Sequence, residues 1–207
     1  NDQNQLYVMA KDATELLDVE NPTVIADTGY YNGTEIKNCI DDGMNVFIKK
    51  AKANNSTKDN EFRKEKFLYD KERDVYVCPA GNELSFFENT SKNGMKYRKY
   101  KCSNCNSCKY KKACTSSGTG LTIQRWEHED ILESVYQDTW NNNDIYKQRR
   151  CIVEHPFGTV KRTLGYSFFL RRQMDNVDAE AASMFIAYNF KRLLSMFSTQ
   201  ELIKKFR

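Results

Sequence analysis

No window of this 207-residue chain approaches the roughly 20 consecutive apolar residues of a membrane-spanning helix, so the reading is of a protein with no membrane segment. The opening stretch "NDQNQLYVMAKDATELL" lacks both the basic start and the apolar run of a secretory signal, and the expected compartment is the cytoplasm. Internal repeats and low-complexity tracts are lacking as well. There is no even set of cysteines: the chain has seven, five of them between Cys78 and Cys114. An odd number without an export signal argues against a disulfide framework. What remains is ordinary for a soluble globular protein, with 40% hydrophobic and 29% charged residues and length enough for one good core or two small domains.

Charge is unevenly spread. Residues 1–44 hold nine acids against Lys11 and Lys37, so the rest of the chain carries +11 to reach the net +4. A basic body behind an acidic head suits a polyanionic partner, nucleic acid above all, and equally suits plain solubility. Composition leaves both open.

Hydrophobic spacing predicts an amphipathic helix over Gln5–Leu17, then a short β-rich run "TVIA" at Thr23–Ala26. "GTEIKNCIDDG" reads as a helix closed by Gly43, followed by a second buried strand at Asn45–Lys50. Strand, helix and strand at this length form a parallel crossover. The polar stretch "AKANNSTKDNEFRKEK" breaks the pattern, and "FLYD", "DVYVCP", "ELSFFENTSKNGMKYRKYKC" and "LTIQRW" then read as short strands, with Asn93-Gly94 as a hairpin turn. Helical spacing returns at about 128–150, about 157–163 and about 176–197. The division that follows is 1–60 (helix-strand-helix-strand), 61–126 (β-rich, with the cysteines) and 127–207 (helical).

Within the β-rich part, Cys102, Cys105, Cys108 and Cys114 are spaced C-x2-C-x2-C-x5-C, with Cys78-Pro79 ahead of them. Short loops bring pairs of thiolates to one metal, which suits a structural Zn²⁺, with Cys78 a fifth candidate for four positions. An iron–sulfur cluster takes four such thiolates too, although the last spacing is longer than in a ferredoxin run. Free thiols are the third choice. Lys99, Lys101, Lys109, Lys111 and Lys112 interleave here with Tyr97, Tyr100 and Tyr110. That mixture can touch phosphates and stack on bases, or simply keep a small subdomain soluble.

Two acids stand out. Asp27 ends the first buried strand, where α/β sheets collect functional groups, although the same residue can cap the turn that follows. Glu154 is a single acid among Lys147, Arg149, Arg150, Lys161 and Arg162. At 3.6 residues per turn, Tyr146, Arg150 and Glu154 share one helical stripe. Pro156 lacks an N–H and is expected to push His155 from helical angles, so the stripe should hold to Glu154 and weaken towards Lys161. His155 reads as a packing or phosphate-side residue, and His128 as part of a solvated helix face rather than a metal ligand. Two carboxylates held close together can chelate Mg²⁺ or Mn²⁺ for phosphoryl transfer while cations steer the DNA backbone.

"VIADTGYYNGTEI" and "YKQRRCIVEHPFGTVKR" resemble the second- and third-acid segments of bacterial insertion-sequence transposases of the Asp-Asp-Glu type. Their signature at the third acid is Tyr-x2-Arg-x3-Glu-x6-Lys. Here Tyr146-x2-Arg149, Arg150-x3-Glu154 and Glu154-x6-Lys161 each fit, with one residue too many between Tyr146 and Glu154. Counting from the tyrosine selects Arg149 as the family arginine, and the helical stripe selects Arg150. The resemblance extends through "LGYSFFLRR" and the final helix, and back through the cysteine segment.

The resemblance implies an α/β fold, an incomplete RNase H-like domain interrupted by a β-rich, cysteine-containing insertion. It implies Asp27 and Glu154 as catalytic acids and ligands of Mg²⁺ or Mn²⁺, with two such ions activating water and then a DNA 3′-hydroxyl for attack on phosphodiesters. Tyr146, Arg149 or Arg150, Lys161 and Arg162 would hold DNA, and the complete enzyme would work as a homodimer on transposon ends and target. No residue before Asp27 has the context of the family's first aspartate. The expectation is therefore a chain with two acids of three, with apolar sheet faces exposed and with little or no strand-transfer activity. The alternative of another class is a non-catalytic, zinc-stabilised DNA-binding module.

Overall fold

The computed structural model describes residues 2–50 and 60–205, and part of the polar stretch read as a break, 51–59, lies outside the described residues. The chain forms two compact units, residues 1–140 and 141–207. It is a mixed α/β protein.

The first unit opens with helix α1 (Leu6–Leu17). Strand β1 (Thr23–Ala26) and strand β2 (Asn45–Ile48) pair in parallel, Thr23 opposite Asn45 through Ala26 opposite Ile48, across the crossover helix α2 (Gly33–Asp41). The side chain of Asn32 caps α2 by accepting the Thr34 N–H at 3.0 Å, and Gly43 follows the helix at φ +79°, a conformation glycine adopts without strain. Alternation along the strands turns Val24, Ala26, Val46 and Ile48 to one face, where Leu6, Ile36, Cys39 and Met44 complete a core. Ile36 and Cys39 are fully buried, and burying an aliphatic side chain such as that of Ile36 contributes about 1.5–3 kcal/mol. The opposite face carries Ile25 and Phe47, both half-buried, so the exposure expected of a two-stranded sheet is partial.

A five-stranded antiparallel meander follows in the order β3-β4-β5-β6-β7, formed by Leu68–Asp70, Val75–Val77, Glu83–Lys92, Met95–Cys102 and Thr122–Trp126. Each strand read from the sequence is present. Asn93 and Gly94 both have positive φ, as a two-residue hairpin of this twist requires. The register slips between Phe86 and Glu88, which marks a bulge in β5. Inward residues of the meander meet Phe62, Phe67, Cys114 of the short helix α3 (Lys111–Cys114) and Leu121 in a second core.

Helix α4 (Glu129–Asn141) lays Val135 and Thr139 against the parallel sheet. The buried Thr139 hydroxyl accepts the Ile48 N–H at 3.1 Å and donates to the Val135 carbonyl at 2.7 Å, so no polar atom of the pair is stranded. The single helix expected over 128–150 is broken at Asn142 (φ −106°, ψ 40°), and α5 (Asn143–Arg149) starts afresh. Three consecutive asparagines, whose side chains compete for backbone groups, account for the break.

In the second unit α5 continues through a π-helical turn (Arg150–Glu154), the short helix α6 (His155–Gly158) and a second π turn (Thr159–Thr163). Helices α7 (Met174–Met196) and α8 (Thr199–Lys205) complete it. The Glu180 carboxylate accepts the Leu170 and Arg171 N–H groups at 2.9 Å each and so ties the segment before α7 to that helix. Phe157 meets Phe185 edge-on at 5.2 Å, and Val160, Met184 and Leu202 are buried.

Candidate functional site

Asp27 is exposed at the carboxyl end of β1. Its Oδ1 accepts the Thr28 N–H at 2.6 Å and the Thr28 hydroxyl at 3.3 Å, so the side chain does cap the turn Thr28–Tyr30. That cap fixes the direction in which the carboxylate leaves the sheet.

The third-acid segment shows what the one-residue excess does. Backbone angles stay helical at Arg150 (−60°, −42°), Glu154 (−68°, −34°), His155 (−65°, −48°) and Thr159 (−67°, −47°). Pro156 therefore does not push His155 out of the helix, contrary to the sequence-based expectation. The wider turn is the reason: the His155 N–H reaches back five residues to the Arg150 carbonyl, and a π turn accommodates a residue with no N–H to give. Residues five apart then come together. Arg149 pairs with Glu154 at 2.9 Å, and its guanidinium lies 5.9 Å from the Tyr146 ring centre. Between the two readings of the arginine, the structure groups Arg149 with the tyrosine and the acid. Arg149 is largely buried, whereas half of the Glu154 side chain is open to solvent. Arg150, Lys161 and Arg162 are exposed.

His155 contacts α7, its Nδ1 3.3 Å from the Tyr188 hydroxyl, as a packing residue would. His128 stands edge-on to Trp126 at 5.1 Å, just before α4. Among the described residues no three His, Cys, Asp or Glu side chains stand so as to hold a metal ion. Asp27 belongs to the first unit and Glu154 to the second.

The cysteines converge more closely than their spacing required. Cys78, Cys102, Cys105, Cys108 and Cys114 all line one cavity of about 20 Å³ at the edge of the meander's core. Cys102 and Cys114 are buried and the other three half-buried. Burial, and then a hydrogen bond with the Cys105 thiol, push the Cys102 thiol up to about 11. The basic-aromatic patch fares differently. Tyr100 is fully buried on the inner side of β6 and cannot stack on a base, because strand alternation turns it inward. Tyr110 packs against Phe62 at 5.7 Å and remains partly exposed.

Sequence reasoning missed the most connected side chain of the first unit. Arg125, 5% exposed, donates to the Tyr76 hydroxyl at 3.2 Å and to Glu133 at 2.5 and 2.9 Å, pairs with Asp130, and stacks on Tyr69 at 3.9 Å. The signal was present: in "TIQRW" position 125 shares the inward face with Ile123, and an arginine there needs partners.

Residues 77–194, more than half of the chain, match the family described as Transposase DDE domain. The matched segment contains Glu154, Tyr146, the arginines and the cysteine cluster, and Asp27 precedes it. No curated protein and no solved structure matches the chain. Among the described residues no helix is long and apolar enough to cross a membrane.

Proposed function

The chain belongs to the Transposase DDE domain family, and on that premise we propose that it forms part of the catalytic domain of a DNA transposase that cleaves DNA at transposon ends and joins the freed 3′-hydroxyls to target DNA. The observation that carries this reading is the cluster of Tyr146, Arg149 and Glu154 within the matched residues. We read Arg149 as the family arginine, a reading supported by the π turn that takes up a residue between the tyrosine and the acid in "YKQRRCIVE". In this reading Glu154 is the third acid and Asp27, at the end of a parallel strand, the second. The RNase H-like assignment rests on that parallel β1-α2-β2 unit with a carboxylate at its strand end, and the division into 1–60, 61–126 and 127–207 belongs to the same proposal.

The carboxylates of Asp27 and Glu154 are the oxygen donors that suit Mg²⁺ or Mn²⁺. When bound, such an ion supplies activation of water and of a 3′-hydroxyl for in-line attack on phosphodiesters. Residues 1–207 supply two of the three acids the reading asks for. Arg149 holds the Glu154 carboxylate in place, and the exposed Arg150, Lys161 and Arg162 bind DNA phosphates, in a homodimer on the transposon ends. Binding through these cations should weaken steeply as salt rises.

The test uses the complete enzyme in a strand-transfer assay with Mn²⁺. Glu154→Gln and Asp27→Asn should each reduce product to background while leaving DNA binding in a gel-shift assay intact. Activity that survives both changes means that the acids are structural, and the reading falls. The 207-residue chain by itself should show no Glu154-dependent nicking of plasmid DNA.

A further inference from the structure

The cysteine cavity lies outside the proposed chemistry, and its construction points to a ligand of its own. The turn Cys78-Pro79-Ala80-Gly81-Asn82 is closed by the Cys78 N–H on the Asn82 carbonyl (2.9 Å) and the Gly81 N–H on the Cys78 carbonyl (2.8 Å). This closure aims two donors of Asn82 at sulfur: its backbone N–H at Cys78 Sγ (3.3 Å) and its side-chain amide at Cys108 Sγ (3.8 Å). N–H groups directed at sulfur orient a cysteine side chain for ligation. On the other side of the cavity stand Cys102 and Cys105. Gly120, at φ +94°, presses on that pair so closely that a Cβ there would meet Cys105 Cβ at 3.1 Å and the Cys102 carbonyl at 3.3 Å.

We propose that this cavity is a structural site for one Zn²⁺, ligated by Cys78, Cys102, Cys105 and Cys108, with Cys114 serving the core beside it. Four thiolates from two tight turns are the donor set of a closed structural zinc site. The spacing from Cys108 to Cys114 is longer than in a ferredoxin run, which weighs against an iron–sulfur cluster. Simple packing of neutral thiols explains the buried Cys102 and Cys114, but not donors aimed at the half-buried Cys78 and Cys108. The sulfurs do not stand in ligating geometry among the described residues, so closing on the ion takes rotation about χ1 of these cysteines. A small meander packed on the four-residue α3 gains from such a staple.

The test is the metal content of the full chain, purified from zinc-supplemented cells and measured by mass spectrometry of the elements. One zinc per chain is expected. Cys39→Ser, Cys151→Ser and Cys114→Ser should keep it, whereas Cys102→Ser and Cys108→Ser should lose it. Loss of zinc in Cys114→Ser with retention in Cys108→Ser overturns the ligand assignment. Because serine variants can fail to fold, the unmutated chain is also exchanged with Co²⁺. The intense visible bands of a tetrahedral all-thiolate site support the proposal. A colourless cobalt sample, purification without stoichiometric metal, or a brown iron-containing protein overturns it.

Discussion

The five-stranded meander and the helical residues 141–207 solve the problem of side-chain placement in opposite ways. In the meander one group of polar side chains is turned inward and satisfied. Tyr69, Tyr76 and Tyr100 pack with ring centres 4.9–5.9 Å apart, Asp74 Oδ1 accepts the hydroxyls of Tyr69 (2.7 Å) and Tyr100 (2.6 Å), and Arg125 closes the group from β7. In the helical unit apolar side chains lie open: Leu170 is 77% exposed, Ile186 68% and Phe190 59%. Arg150, Lys161 and Arg162 are open too. A fully connected polar network specifies one packing, because every alternative leaves a buried group unpaired. Open apolar and basic surface specifies little by itself and serves contact with something else. Stability resides in the first region, and the second carries Glu154 and the cations proposed to bind DNA.

Equal truncations should therefore have unequal effects. Leu84 is fully buried, and Leu84→Ala should cost about 3 kcal/mol or more in urea unfolding followed by the near-ultraviolet signal of the tyrosines. Ile186→Ala should stay within about 0.5 kcal/mol. A large loss at Ile186 would mean that the α7 face is covered in solution, and the comparison would break. Arg125→Met comes next, at about 2–3 kcal/mol. This is below the about 3–5 kcal/mol of a wholly buried pair because Glu133 and Asp130 are half open to water. Gly94→Ala, at φ +78° in the β5–β6 turn, should cost about 1 kcal/mol by the same melt, as should Gly165→Ala at the same φ in the helical unit.

The sequence made the strands legible because each is bounded by turn chemistry, with Gly43 and Asn93-Gly94 at positive φ where they were read as stops. The helices of 141–207 were less legible. Period 3.6 was assumed throughout, yet two π turns shift the register by a residue, so the Arg149–Glu154 pair falls at a spacing that an α-helical stripe does not contain. The clue was the surplus residue in "YKQRRCIVE", visible in the count and ambiguous in meaning until the backbone showed where it went. For the cysteines, spacing alone favoured the last four, whereas the turn at Asn82 brings Cys78 in as an equal member of the cavity. Long-range partners such as those of Arg125 have no local signature, and period two revealed its inward direction without revealing what it met.

The smallest expected effect is electrostatic. Burial works against the charged form of Asp74, but hydrogen bonds from Tyr100 and Tyr69 and the charges of Arg98 and Arg125 outweigh it and hold the carboxyl below its ordinary 3.8. Asp130 is lowered as well, with burial again opposing and Arg125 and Lys71 prevailing. A carboxyl depressed in the folded state stabilises the fold fully above its unfolded value, and that contribution is lost as pH falls through the folded value. The meander should thus lose stability below about pH 4, while neutral and mildly alkaline pH leave this contribution intact. The effect is modest, since Asp74 is one-third open to solvent and screened accordingly. Asp74→Asn keeps a side chain that tolerates the φ of +51° found there and removes the charge, so its acid limb in a pH series of urea melts should be flatter than that of the unmutated chain. An unchanged limb would show that the tyrosine hydroxyls do not favour the carboxylate. The meander's order would then rest on its apolar core alone, as little electrostatic in origin as that of the helical unit.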